Sequence, residues 1–155
     1  MSEPIHRFKT RRASPSLLAR QARFRTMPLI MILGLGMDIS EVARVKASLD
    51  RFGESFLKRI LHPEEISYCR TYRDPAQYVA VRFAAKEAIS KAFGTGIGAK
   101  LGWHDMEVCR RESGEPYVVL HGGGQKLFET RGAKQLLISL THTESYVAAV
   151  AILEG

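Results

Sequence analysis

The chain has 155 residues, 45% of them apolar, 25% charged and 8% aromatic, the composition of one globular domain with its own core. No apolar run approaches the ~20 residues of a membrane-crossing helix, and Cys69 and Cys109 form neither a disulfide framework nor a C-x-x-C metal spacing, so a reducing, cytoplasmic setting is expected. The formal +7 invites a nucleic-acid partner, but residues 1–30 hold seven basic groups against Glu3 alone, whereas residues 31–155 hold 16 basic and 15 acidic groups.

The high pI therefore belongs to an N-terminal extension, and the body is expected to bind no nucleic acid. Residues 1–28 are rich in Arg, Ser and Pro and lack a sustained period, so disorder is expected for this extension, taken as residues 1–30 ahead of the domain at 31–155. An organelle transit peptide and a basic nucleic-acid arm are alternatives; the plainer accounts are translation beginning at Met27 or Met31, or an idle extension.

From Leu29 an apolar run, Leu29 to Leu33, leads into Gly34-Leu35-Gly36 and reads as a strand buried on both faces. Ser40 is placed to cap a helix carrying Val42, Val45 and Leu49, and a second short helix with Phe56, Leu57 and Ile60 follows Gly53. Pro63 suits the first turn of a further helix, with Glu64 and Glu65 at its positive end. Asp74-Pro75 opens a long helix, expected to bury Tyr78, Val81, Ala85, Ile89 and Phe93 and to stop at Gly94. Strands at Met106–Cys109 and Tyr117–Leu120 flank the turn 113–116, a short helix covers Gln125–Thr130, and strands Leu136–Thr141 and Tyr146–Leu153 close the chain. One strand, several helices and then mostly strands favour an α+β fold over a doubly wound sheet.

Several chemistries drop out. Gly34-Leu35-Gly36 lacks the third glycine of a dinucleotide fingerprint, and Gly94-x-Gly96-x-Gly98 follows a helix rather than a strand. There is no Walker A, H-E-x-x-H or G-x-S-x-G sequence, and five histidines scattered along the chain give no reason to expect a zinc site. Three candidates remain. Asp38 lies just beyond the first strand, where backbone can approach a ligand closely; a turn or helix-start aspartate is the plainer account. In Arg82-Phe83-Ala84-Ala85-Lys86-Glu87-Ala88-Ile89-Ser90-Lys91, the pairs Arg82/Lys86 and Glu87/Lys91 each share a helix face. A solvated face would explain them, and so would Glu87 holding a hard cation beside phosphate-binding bases. Thr141-His142-Thr143 opens a hairpin, where hydroxyls beside an imidazole suit a phosphate or ribose, or simply satisfy their own turn.

Taken in order, the segments 32–39, 82–88, 91–98, 114–117 and 139–143 resemble the holo-[acyl-carrier-protein] synthases, the short bacterial class of 4'-phosphopantetheinyl transferases. The resemblance covers residues 31–155. It implies that fold, with one long central helix, and Mg²⁺-dependent transfer of phosphopantetheine from coenzyme A to a serine of an acyl carrier protein, in fatty acid biosynthesis, releasing 3',5'-ADP. By matching positions it implies Asp38 and Glu87 as metal ligands, Lys91 on the diphosphate, and Arg82 and His142 on the 3'-phosphate end. Ser90, Gly94 and Thr143 line the same site, and Lys86 is a further cation for the phosphates. The base that takes the serine proton is left open between water, a carboxylate and a histidine. Arg44 matches a docking arginine for the acidic carrier, with Arg51 on the same helix, and the family's usual state is a homotrimer with sites between subunits. Met37, Thr141 and Glu115 depart from the common threonine, serine and lysine without removing an implied ligand.

Overall fold

The structure, a computed structural model, describes residues 30–155. The expected extension over residues 1–30, and Leu29 of the first strand, thus lie outside the described residues except for Ile30.

β1 (Ile32–Glu41) is longer than its apolar run, continuing through both glycines and Asp38 to Glu41. It pairs antiparallel with β5 (Tyr146–Glu154), which pairs antiparallel with β4 (Gln135–His142), giving the order β1-β5-β4. β2 (Met106–Arg110) and β3 (Pro116–Leu120) form a separate antiparallel ribbon. The helices are α1 (Val42–Ile60), bent at Gly53 where φ is 50°, then α2 (Pro63–Cys69), α3 (Ala76–Ala92) and α4 (Gly122–Thr130). The α+β expectation is met.

The core is α3 laid on the sheet. Val79, Ala80, Ala84, Ala85, Ala88, Ile89 and Ala92 meet Val147, Ala149, Ala151 and Leu153 of β5, all nearly inaccessible to solvent. Burial wraps most of α3 rather than one stripe, because α1, α2 and the β2–β3 ribbon cover the sides away from the sheet. Small alanines let the helix lie close. A Cβ at Gly34 would stand 2.0 Å from the Ala92 carbonyl oxygen, and one at Gly36 would stand 1.9 Å from that of Ala88. These glycines therefore admit the helix backbone; neither has positive φ.

Two local expectations change. β1 is not buried on both faces: Leu35, Met37 and Ile39 are 62–66% exposed on the face away from α3. Ser40 does not cap α1. It lies in β1, its hydroxyl donates to Asp38 Oδ2 (2.9 Å), and Glu41 occupies the cap position without a side-chain cap bond. At α3 the start signal holds, with Asp74 Oδ1 accepting from the Ala76 N–H at 3.1 Å. Among the described residues no helix is long and apolar enough to cross a membrane.

Candidate active site

β1 places Asp38 in mid-strand, opposite Ala149 and on the same side as Gly34 and Gly36, so its carboxylate faces α3. The close glycine contacts bring that strand against the turn of α3 that carries Glu87 and Lys91. Lys91 Nζ donates to Asp38 Oδ1 at 2.8 Å and to the Met37 carbonyl at 3.0 Å, and the lysine side chain remains 48% exposed. Partial burial, and then the nearby Asp38 charge, hold the Glu87 carboxyl above the usual glutamate range, while Lys91 pulls it down. Two carboxylates and a solvent-facing ammonium thus cluster where β1 crosses α3.

Ser90 lies behind them, fully buried, its hydroxyl donating to the Glu87 carbonyl at 2.8 Å. Gly94 ends α3 at φ 67°, and its N–H donates to the Lys91 carbonyl at 2.9 Å. The N–H groups of Thr95 and Gly96 donate to the Ser90 carbonyl, folding the glycine loop under the last turn.

The other expected residues are elsewhere. Arg82 and Glu87 are five residues apart, about 140° around the helix, so Arg82 faces α2. It is 4% exposed, with its guanidinium carbon 4.3 Å from the Tyr68 ring centroid, Nη1 donating to the Tyr78 carbonyl at 3.3 Å, and a buried Nε without a partner. It lines a groove of about 300 Å³ with Tyr68, Arg110 and Tyr117. His142, at the end of β4, and Thr143 are exposed at the β4–β5 turn. From strand spacing and rise, His142 Cα is roughly 12 Å from that of Asp38, with β5 between them. One chain therefore unites Asp38, Glu87 and Lys91 but leaves Arg82 and His142 apart.

Lys86 corrects the reading of the phosphate cations. It is wholly buried, donating to Glu65 Oε2 (2.7 Å) and to the carbonyls of Ile60 (2.7 Å) and Trp103 (3.2 Å). Burial depresses its pKa, and Glu65 opposes that shift. With all three donor hydrogens engaged in the core, Lys86 cannot serve a cofactor; the i, i+4 relation to Arg82 is real, but their shared face points inward.

Sequence reasoning missed three supporting residues. Ser40 orients Asp38, and the i, i+2 relation on an extended strand is its only signal. Gln77 Nε2 donates to the Thr143 carbonyl at 2.6 Å, and Arg131 Nη2 donates to the Phe93 carbonyl beside the glycine loop. Both contacts are long-range, with no local signature. Arg44 and Arg51 are exposed on α1, and Arg44 borders a small groove with Val45, Phe56 and Phe83.

The chain matches the family described as the 4'-phosphopantetheinyl transferase superfamily over residues 34–151. It is 46% identical over 124 residues to a holo-[acyl-carrier-protein] synthase of Koribacter versatilis, covering 80% of this chain and 99% of that one. A Solibacter usitatus synthase is 42% identical over 81% of this chain and all of its own. Among solved structures, the Neisseria meningitidis synthase superposes with a TM-score of 0.76 at 34% identity, covering 81% of this chain and 100% of its own. The Helicobacter pylori synthase, solved with coenzyme A, superposes with a TM-score of 0.69 at 31% identity over 77% and 98%. The fold and these relatives together place the chain in the holo-[acyl-carrier-protein] synthase family of 4'-phosphopantetheinyl transferases.

Proposed function

We propose that this enzyme transfers 4'-phosphopantetheine from coenzyme A to a serine of an apo-acyl carrier protein, with Mg²⁺, releasing 3',5'-ADP. The observation that carries the reading is the Asp38–Lys91–Glu87 cluster. Asp38 and Glu87 fit Mg²⁺, because two hard carboxylates with open solvent beside them leave positions for water and phosphate oxygens. Lys91 already acts as a cation at Asp38 and can turn to the diphosphate from its exposed position. When bound, Mg²⁺ supplies charge neutralisation on the diphosphate.

The serine oxygen attacks the phosphorus bearing the pantetheine arm, and the bond from that phosphorus to the bridging oxygen breaks. 3',5'-ADP leaves, and the serine proton passes to water or a neighbouring carboxylate. The chain's own part is to align the two oxygens and offset charge through Lys91, with Ser40 orienting the Asp38 carboxylate and Ser90 holding the Glu87 backbone.

Arg82 and His142 recognise the 3'-phosphate end, and their separation from Asp38 within one chain supports a site completed by a neighbouring subunit of a homotrimer. The exposed Leu35, Met37 and Ile39 on the outer face of β1 supply apolar surface for that assembly. Arg44 and Arg51 dock the acidic carrier, chiefly by steering encounter. Mass spectrometry of apo-carrier protein incubated with enzyme, coenzyme A and Mg²⁺ tests the transfer: one phosphopantetheine per carrier is expected. Undiminished modification by both Asp38→Ala and Glu87→Ala would sink the metal assignment.

A further inference from the structure

Three of the five histidines, distant in sequence, meet where the start of α2, the approach to β2 and the start of α4 converge. The ring centroids of His62 and His121 are 4.8 Å apart, and those of His62 and His104 are 5.1 Å apart. Glu107 joins them, its Oε2 lying 2.9 Å from His121 Nε2. One potential ligand atom from each of His62, Glu107 and His121 falls within a mutual 4.8 Å, and all three residues are half-buried.

The backbone at each position is pinned. The His62 N–H donates to Glu65 Oε2 (2.8 Å) and the Val108 N–H, next to Glu107, donates to Glu65 Oε1 (3.1 Å). The His121 N–H donates to the Asp105 carbonyl at 2.9 Å. The His62 imidazole is also oriented. Its Nε2 lies 2.9 Å from the His104 carbonyl oxygen, which can only accept, so Nε2 carries the hydrogen and Nδ1 keeps its lone pair. A ring nitrogen donating to a backbone carbonyl while the other stays free is the usual outer-shell arrangement of a metal-ligating histidine.

We propose that His62, His121 and Glu107 form a second metal site, selective for zinc and similar first-row divalent cations over Mg²⁺. Two imidazoles and one carboxylate are a zinc donor set, whereas Mg²⁺ prefers oxygen. Zinc bonds of about 2.0–2.2 Å space tetrahedral ligands about 3.4 Å apart, so the widest pair must close by about 1.4 Å. The half-buried side chains can do this by rotation about their χ angles. A water takes the fourth position. The cation would staple the start of α2, strand β2 and the start of α4, and the Glu65 carboxylate ties the first two of these to α3 through Lys86.

Zn²⁺ affinity, measured on the full chain against a chromophoric chelator, tests the proposal. One tight equivalent is expected in the wild type and in Asp38→Asn/Glu87→Gln, with a visible spectrum of tetrahedral intensity when Co²⁺ replaces Zn²⁺. His62→Gln/His121→Gln should bind at least ~100-fold more weakly, and His104→Gln should bind as the wild type does. Undiminished binding by the His62/His121 double variant, or loss of the tight equivalent in the Asp38/Glu87 variant, overturns it. Imidazole resonances of the wild-type chain read the site without any substitution: Zn²⁺ must shift those of His62 and His121 and leave His142 unmoved, and the converse pattern also refutes the proposal.

Discussion

α3 carries two lysines, five residues apart, each paired with a carboxylate, and they do opposite things. Lys86 and Glu65 are 0% and 1% exposed, and Lys91 and Asp38 are 48% and 15% exposed. The N···O distances are nearly the same, 2.7 and 2.8 Å. Contact geometry therefore does not separate a pair locked in the core from one free to open; access to water does. The buried lysine has every donor hydrogen committed to the fold, so removing it strands a charge. The exposed lysine can exchange its carboxylate for a phosphate, because solvent screens the pair and little is lost when it opens.

The sharpest way to break this comparison is Lys86→Ala. Leaving Glu65 buried without its partner should cost about 3–5 kcal/mol in urea unfolding, and a fully stable variant would show that the pair is not what holds α2 to α3. Next in size, Asp38→Asn and Glu87→Gln should each lower kcat by about 10²–10³-fold in the carrier-modification assay, the scale of losing a charge-stabilising group. Their urea midpoints should hardly move. Lys91→Ala should cost catalysis similarly but at most about 1 kcal/mol of stability; a stability loss matching that of Lys86→Ala would erase the distinction. Gly36→Ala should cost about 1–3 kcal/mol by pushing β1 off α3, and should lower activity too because it parts Asp38 from Glu87. The smallest effect concerns the thiols. Burial pushes Cys69 up to about 11, so it stays protonated and iodoacetamide at pH 8 should spare it in the native protein. The more accessible Cys109 should be alkylated first, as peptide mapping would reveal.

Much of the fold could be read from local signals. Asp74-Pro75 and Gly94 bracket α3, Pro63 opens α2, Gly53 bends α1, and apolar runs mark β4 and β5. β1 was legible in kind but not in extent, because a strand that continues through Gly-Leu-Gly gains its hydrogen bonds from β5, more than 100 positions away. The glycines looked permissive and prove to be tight packing positions, a property of the helix opposite them. Lys86 illustrates the limit most clearly. Periodicity puts it on the face of Arg82, but only the arrival of Glu65 and the Ile60 and Trp103 carbonyls decides that this face is interior. The histidine cluster was invisible for the same reason: its members share no spacing, and α2, β2 and the start of α4 bring them together.

The β4–β5 turn that carries His142 and Thr143 is held from three sides. Thr143 and Tyr146 bond across it, Gln77 reaches the Thr143 carbonyl from α3, and the Val42 N–H at the head of α1 donates to the Ser145 carbonyl at 2.9 Å. A loop braced in this way has few conformations to surrender when a ligand arrives, so the entropy of ordering it is largely spent during folding. The amide proton of Thr143 in the turn, and that of Val42 bonded to the turn from α1, should then exchange with solvent on the slow timescale of the sheet rather than the fast one of an exposed turn.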